Sequence, residues 1–394
     1  MQELILLPLD EFKRRIESLR PMMLAENIDA ILITDNANTY YLTGRVFAGY
    51  IYIPLDENRS PQFFIRRPIG LCGDNIHYIR KPEDIASIIG NDCSLERIGL
   101  ELDVTPYSTI ERLRKVFPSS AIVNASSLMR KSRSIKTDYE IEQLRLSAAK
   151  QSAVYNRIPE IYRPGMTDLQ LQIELERTLR LEGCLGQFRI SGDSMELFMG
   201  NILVGDNADN PSPYDFAMGG AGLDPSIPAG CNGTKILPGL SVMVDINGNF
   251  TGYMTDMTRT FVLGSVSELA QKAHDCSIAI CAHLASIGRP GVEARELYDT
   301  ALRMADEAGL KDYFMGHRQK AGFIGHGVGI EINELPVIAP RSRDILANGN
   351  VIALEPKFVI PGTGAVGIEN TYIVTPSGMQ CITNAPEQII QFAE

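Results

Sequence analysis

The stretch "VIALEPKFVIPGTGAVGIENTYIVT" (residues 351–375) predicts a β-hairpin with one glutamate on each strand. Glu355 and Glu369 are equally far from Gly362, which is the centre of a Pro-Gly-Thr-Gly sequence typical of a turn. A fold about that turn brings the two carboxylates opposite one another. The residues beside both acids are apolar, so we expect the pair to be at least partly buried.

A second stretch, "VMVDINGNFTGYMTDMTRTFVLG" (residues 242–264), predicts another acidic hairpin. Asp245 and Asp256 both lie in strand-like sequence, and Asn and Gly residues supply a loop between them. The midpoint between the two aspartates falls at Phe250 and Thr251. Either acidic hairpin alone is more often a solvated surface feature than a functional site, but two of them together favour a binding site.

A histidine with very little bulk around it occurs in "GHGVGIEINELP" (residues 325–336). Glycines flank His326, so a ligand and the backbone can approach its imidazole closely. Four buried carboxylates repel one another unless cations neutralise them, and two divalent ions match their charge. Four carboxylates and one imidazole suit Mn²⁺, Fe²⁺, Co²⁺ or Zn²⁺. Such ions activate water and polarise a carbonyl, and a nearby glutamate can carry the proton.

The composition excludes several other classes of function. The chain has 394 residues, 44% of them hydrophobic, and a formal net charge of -11, which disfavours nucleic acid or an anionic membrane as a partner. The first residues lack the pattern of a signal peptide, and no apolar run reaches the roughly 18 residues of a membrane span. Seven cysteines without CxxC pairs fit reduced thiols, so we expect a cytoplasmic protein.

Alternating helix and strand patterns predict an α/β N-terminal domain over residues 1–132. Apolar residues at helical spacing favour a helix over 11–26, and "VTPYSTIERLRKVF" favours another. Strand composition is found in "DAILIT", "TYYLTG", "YIYIPL", "QFFIRR" and "ERIGLEL".

Residues 133–394 predict an α+β domain with helices outside a largely antiparallel sheet. Thr137 and Glu140 form a candidate capping box, and Thr167 and Gly183 are candidate caps of the next helix. Further helices are expected near 266–288 and 291–308. Segments rich in Val, Ile, Tyr and Phe lie between and after these helices.

The acidic and histidine motifs resemble those of the pita-bread metallopeptidases, namely prolidase, aminopeptidase P and methionine aminopeptidase, with creatinase as a relative. "GYMTDMTRTF", "GHGVGIEINELP", "EP" and "GIEN" carry the resemblance to the catalytic domain. "SIKTDYEIEQLR" and "ITDNANTYYLTG" extend it to the prolidase branch and its creatinase-like N-terminal domain. The resemblance therefore implies a pita-bread fold for residues 133–394, and it suggests a homodimer.

The family's ligand order implies five metal ligands in this chain: Asp245, Asp256, His326, Glu355 and Glu369. The resemblance implies two divalent ions, with manganese the first expectation and cobalt, zinc or iron as alternatives. It also implies that Asp256 and Glu369 bridge the ions and that Glu355 acts as catalytic proton shuttle.

The residues that handle substrate depart from the family pattern. Asn333 stands where the peptidases usually have a histidine, no histidine occurs near Pro228, and Val337 replaces an arginine that binds the substrate carboxylate in dipeptide-cleaving relatives. We assign Asn333, which can donate a hydrogen bond but not carry a proton, and His317, close upstream of the ligand histidine, to substrate binding. Arg259 is expected to be a buried partner of the acids.

These departures leave three functions open. The first is an Xaa-Pro dipeptidase or aminopeptidase that acts on a small peptide. The second is a hydrolase of another small amide- or ester-like compound, and the third is a catalytically silent metal-binding module. A metal-free creatinase-like mechanism is disfavoured because creatinase lacks the metal carboxylates that this chain retains.

Overall fold

The computed structural model describes residues 2–90, 95–192 and 198–393. The chain divides into two compact units, which are Met1–Arg133 and Ser134–Glu394. In the described parts of the chain, no helix is both long and apolar enough to cross a membrane.

The first unit is built on one mixed sheet with helices between its strands. The strands are β1 (Gln2–Glu3), β2 (Ala30–Ile33), β3 (Ala48–Pro54), β4 (Gln62–Arg67), β5 (Leu71–Cys72), β6 (Ile76–Tyr78), β7 (Arg97–Leu100) and β8 (Ala121–Asn124). Six of them form a sheet in the order β6-β4-β3-β2-β7-β8, antiparallel in its centre and parallel towards both edges. The helices are α1 (Leu9–Ala25), α2 (Asn36–Thr43), α3 (Ile85–Ile89), α4 (Tyr107–Leu113) and α5 (Ser126–Ser134).

One predicted strand of this unit is wrong, because "TYYLTG" lies in helix α2. The Asp35 carboxylate accepts hydrogen bonds from the backbone N–H groups of Ala37 and Asn38, which caps the helix at its start. Gly44 ends it with a φ of 74°, a conformation that favours glycine. These caps outweigh the strand preference of the aromatic and β-branched residues between them.

Several helices of the second unit begin at a side-chain cap. The helices of this unit are α6 (Asp138–Tyr155), α7 (Ile158–Ile161), α8 (Asp168–Leu181), α9 (Glu268–Ile287) and α10 (Ala294–Glu307). The predicted capping box of Thr137 and Glu140 is present, and a second one joins Thr167 to Gln170. Gly183 follows the end of α8 with a φ of 96°.

The strands of the second unit form largely antiparallel sheets, as predicted. They are β9 (Gly200–Val204), β10 (Ser241–Ile246), β11 (Gly248–Asn249), β12 (Met254–Thr255), β13 (Thr258–Leu263), β14 (Gly325–Gly327), β15 (Glu334–Ile338), β16 (Val351–Leu354), β17 (Lys357–Ile360), β18 (Gly364–Gly367), β19 (Asn370–Thr375), β20 (Gly378–Cys381) and β21 (Ile390–Phe392). A four-stranded sheet has the order β21-β13-β10-β9, and a five-stranded sheet has the order β15-β14-β16-β19-β20. Only β13 and β21 pair in parallel among the described strands of these two sheets.

Helices pack against the outer faces of these sheets, and the contacts form two apolar cores. Leu171 and Leu175 of α8 pack in one core with Val244 of β10. Ile280 of α9 packs in the other core with Ile352 of β16. Asp245 and Asp256 adjoin residues of the first core in the sequence, and Glu355 and Glu369 adjoin residues of the second core.

Candidate metal centre

The two glutamates lie directly opposite one another in their hairpin. β17 and β18 pair Lys357 with Gly367, and β16 and β19 pair Leu354 with Asn370, so one register runs through both pairs of strands. That register is centred on Gly362, whose φ is 77°. Glu355 and Glu369 occupy the short break between the two ladders, as the symmetry of the sequence predicts.

The two aspartates also lie on one hairpin, although the predicted centre is wrong by one residue. β10 and β13 pair Asp245 with Thr258, not with Asp256. The hairpin is therefore centred between Thr251 and Gly252. The two carboxylates are diagonal neighbours, since residues two apart on a strand point to the same face.

The five predicted ligands converge around Glu369. Atoms that can bind a metal lie within 4.8 Å of one another in two groups, one of Asp256, His326 and Glu369 and one of Asp245, Glu355 and Glu369. Asp256, Glu355 and Glu369 are buried, while Asp245 faces the cavity described below. These groups are the arrangement that a carboxylate-rich cation site requires.

The two nitrogens of the His326 imidazole face different partners. Nδ1 of His326 lies 3.1 Å from the carbonyl oxygen of Gly327, and Nε2 lies 3.4 Å from Oε1 of Glu355. If a metal replaced the Nε2 proton that faces Glu355, the Nδ1 contact to the Gly327 carbonyl would set the tautomer that a metal-bound imidazole needs.

One oxygen of Glu369 has no partner, although it is buried. Oε2 accepts hydrogen bonds from the Thr258 hydroxyl at 2.7 Å and from the Lys357 ammonium at 3.2 Å. Oε1 has no hydrogen-bond partner among the described residues. A buried carboxylate oxygen without a partner is costly, and a cation between Asp256, His326 and Glu369 would satisfy it. The residues present therefore fit a divalent ion at this position.

Lys357, which the sequence did not lead us to include in the site, lies among the second group of acids, Asp245, Glu355 and Glu369. The Lys357 ammonium donates to Oδ2 of Asp245 at 2.8 Å, to Oε2 of Glu355 at 2.7 Å and to Oε2 of Glu369 at 3.2 Å. Lys357 is fully buried, with a side chain only 1% exposed. The signal was available in the sequence, because Lys357 is two residues from Glu355 and thus faces the same side of the sheet.

Burial and the neighbouring charges shift the pKa values of the acids in opposite directions. Burial, strengthened by the charge of Asp245, raises the pKa of Asp256 to about 7. Burial also raises the pKa of Glu355, but the charge of Lys357 and the hydrogen bond from His326 outweigh it and lower that pKa to about 2. Burial and the charge of Asp256 hold the pKa of Glu369 well above its usual range. Asp256 and Glu369 therefore keep their protons to a higher pH than ordinary carboxyl groups, because burial and the neighbouring acids disfavour their charged forms.

Arg259 holds the strand of Glu369 in place without touching its carboxylate. The buried guanidinium donates to the carbonyl oxygens of Thr258, Glu369 and Ala385 and to the side chain of Asn370. The predicted burial is confirmed, but the partners are mainly backbone carbonyls. Arg259 thus positions the acid, and the charge balance of the site does not depend on it.

A cavity of about 280 Å³ opens onto the acids. Asp245, Asp256, His326, Glu355 and Glu369 all line it, and aromatic and aliphatic side chains form much of the remaining wall: Phe188, Ile190, Phe216, Ala217, Met218, Phe323, Ile332 and Val337. Among the described residues that line the cavity there is no arginine or lysine. Asn247 also lines it, and the buried Oδ1 of its amide has no partner among the described residues.

Asn333 lines the cavity, but its amide is used in another contact. Oδ1 accepts the backbone N–H of Ser191 at 2.8 Å, and Nδ2 donates to the Ser191 carbonyl at 2.6 Å. The Ile332 N–H donates to the carbonyl of Arg189 at 2.8 Å. These three bonds fasten the segment that carries Phe188 and Ile190, so Asn333 shapes the wall of the cavity.

His317 does not line the cavity, contrary to the predicted role in substrate binding. Nδ1 of His317 lies 3.0 Å from Oδ2 of Asp209, and the side chain is 41% exposed. Closeness to His326 along the sequence misled this prediction, because the chain between Met315 and Ala321 turns back on itself through a backbone hydrogen bond.

Comparison with known protein families agrees with this geometry. The sequence profile of Metallopeptidase family M24 matches residues 142–376, which include all five converging residues. The chain belongs to metallopeptidase family M24. The profile of the Creatinase/Prolidase N-terminal domain matches residues 15–135 of this M24 protein.

Named relatives cover nearly the whole length of the M24 protein. It is 26% identical over 384 residues to an Xaa-Pro dipeptidase of Pyrococcus furiosus, covering 96% of this chain and 100% of the relative. An Xaa-Pro dipeptidase of Pyrococcus horikoshii is 25% identical over 395 residues, covering 97% and 100% of the two chains. The solved structure of an Xaa-Pro dipeptidase from Bacillus anthracis superposes with a TM-score of 0.79 at 25% identity, covering 96% and 99% of the two chains.

Proposed function

We propose that this protein is a metal-dependent hydrolase that cleaves the amide bond of a small peptide or peptide-like substrate. The observation that carries the proposal is the buried, unpartnered Oε1 of Glu369, which lies beside Asp256 and His326. These residues open directly onto a cavity. A divalent ion held by these residues would supply activation of water near neutral pH and polarisation of the substrate carbonyl.

The chain's own residues hold and orient the reacting groups. Asp256, His326, Glu355 and Glu369 are the proposed ligands, with manganese the first choice and cobalt, zinc or iron as alternatives. We assign proton transfer to Glu355, which is buried and lines the cavity. The apolar walls limit access of bulk water and receive an uncharged side chain of the substrate.

The cavity's polar groups favour a substrate without a free carboxylate beside the scissile bond. Val337 contributes an apolar surface, and the described lining offers no arginine or lysine to bind an anion. Asn247 Oδ1 and the Asp215 carboxylate on the wall are hydrogen-bond acceptors, which suit an N–H group or an ammonium of the substrate. This chemistry supports a peptide amide, or another small amide or ester, over a free Xaa-Pro dipeptide.

Hydrolysis by metal-loaded and chelated protein tests the proposal. We expect metal-dependent cleavage of Ala-Pro-amide at a higher kcat/KM than cleavage of Ala-Pro or Leu-Pro. Absence of metal-dependent hydrolysis across a panel of peptides, amides and esters would favour the silent metal-binding module. A kcat/KM of ~10⁴ M⁻¹s⁻¹ or above on Ala-Pro and Leu-Pro would instead identify an ordinary Xaa-Pro dipeptidase.

The oligomeric state and the cellular compartment are two further expectations. A homodimer is expected from the family resemblance, and light scattering after gel filtration measures it. The described cysteines are all free thiols, which supports a reducing compartment such as the cytoplasm.

A further inference from the structure

We propose that the ammonium of Lys357 is a resident cation that takes the place of one of the two ions implied by the family resemblance, so that this protein holds a single divalent ion. The inference rests on the proposed function, because it concerns the same acids. It departs from the sequence prediction of two divalent ions.

The contacts of Lys357 are those of a cation in a carboxylate site. An ammonium has three protons to donate, and the structure gives each of them a carboxylate oxygen at 2.7 to 3.2 Å. The three acids, Asp245, Glu355 and Glu369, are also one of the two groups able to hold a metal.

Both glutamates divide their oxygens between the two cation positions. Oε2 of Glu355 and Oε2 of Glu369 accept from Lys357. Oε1 of Glu355 lies 3.4 Å from Nε2 of His326, and Oε1 of Glu369 is unpartnered. Two donors bound to one ion at about 2.1 Å are roughly 3.0 to 3.4 Å apart, so the spacing of Nε2 and Oε1 of Glu355 would suit one ion beside His326. The two glutamates would thus hold a single metal through Oε1 while Oε2 of each stays on the ammonium.

Charge balance favours one divalent ion over two. The four carboxylates and the ammonium together carry three negative charges, and one divalent ion reduces this excess to a single negative charge. A second divalent ion would make the buried cluster positive and would place two cations among the same three acids. Lys357 cannot leave easily, because its stem lies on β17 within a ladder of buried residues.

Metal stoichiometry tests the inference independently of activity. Full-length protein is stripped with chelator, loaded with Mn²⁺, freed of loosely bound ion and measured by elemental analysis and electron paramagnetic resonance. Wild type should retain one ion per chain with the spectrum of an isolated Mn²⁺. Lys357→Ala should retain two ions and show the spectrum of a spin-coupled pair, while Lys357→Arg should retain one.

Lys136→Ala is the matched control, since Lys136 is another fully buried lysine and its ammonium pairs at 2.7 Å with Glu334, which is not one of the five predicted ligands. It should retain one ion. Two spin-coupled ions in the wild type would overturn the inference and leave the proposed function intact, whereas no retained ion would overturn both. One ion in a folded Lys357→Ala variant would also overturn it; the wild-type count decides the matter if that variant does not fold.

Discussion

Nε2 of His326 and Oε1 of Glu355 lie 3.4 Å apart at the floor of an apolar cavity. The histidine comes from β14 and the glutamate follows β16, which are neighbours in the five-stranded sheet. This relationship places the imidazole against the acids.

His326→Ala should lower the affinity for Mn²⁺ by at least about 10²-fold, because it removes the nitrogen ligand from a site otherwise made of carboxylates. Isothermal titration measures the affinity. His317→Ala is the control, since that residue is paired with Asp209 outside the cavity, and its Mn²⁺ affinity should equal that of wild type. Equal affinities of the two variants would remove His326 from the proposed ligands.

Asn333→Ala should loosen the segment around Ser191, because it deletes two hydrogen bonds at 2.8 and 2.6 Å. Each lost bond costs roughly 1 kcal/mol of local stability. Hydrogen exchange at the Ser191 amide should accelerate while metal content stays unchanged. Unchanged exchange would show that the amide pairing does not hold this wall of the cavity.

Val337→Arg should raise activity on free Xaa-Pro dipeptides relative to their amides, since it adds a guanidinium to a cavity wall that presents acids and apolar groups. A shift of about tenfold or more in the ratio of kcat/KM values is expected from one charge-assisted contact. The matched control is Val337→Met, which adds length without charge and should leave the ratio unchanged. A ratio unaffected by arginine would mean that the substrate's carboxyl end does not lie near this residue.

Glu101 in the first unit gives stability a pH dependence. It is completely buried and accepts hydrogen bonds from Thr34 N–H, Asp35 N–H and the Asn38 amide at 2.6, 2.8 and 2.5 Å. Burial outweighs these bonds and raises its pKa from 4.5 to about 7. The folded state therefore holds this proton more tightly than the unfolded state, and its stabilising contribution disappears as pH rises from 4.5 through 7.

The loss amounts to about 3 kcal/mol on the linkage relation. Glu101→Gln cannot ionise, so the variant should lose less stability than wild type between pH 5 and pH 8. Urea unfolding at both pH values measures the difference. Parallel losses in the two proteins would show that the pKa of Glu101 is not raised in the folded state.

The sequence predicts the features of this site that depend on local symmetry. Glu355 and Glu369 are equidistant from a turn, and period-two pairing carries that symmetry into the structure. The aspartate hairpin was placed one residue off, because Gly and Asn residues allow several turn centres and only tertiary packing selects one. Lys357 was overlooked even though the same alternation places it on the face of Glu355.

Other features depend on contacts that no local pattern records. Asn333 pairs with Ser191, 142 residues away along the chain, so its use as a backbone clamp was not predictable from the sequence around it. Helix α2 formed where aromatic residues suggested a strand, because two end caps decided the outcome. His317 was assigned by proximity in sequence, which a turn in the chain made misleading.

Diffraction from Mn²⁺-soaked crystals at the manganese absorption edge tests the central claim most directly. The account predicts one anomalous peak, about 2.0–2.5 Å from atoms of Asp256, His326, Glu355 and Glu369. The Lys357 ammonium should remain bonded to Asp245 beside it. A peak among Asp245, Glu355 and Glu369 with Lys357 displaced, or a peak away from these acids, would contradict the account.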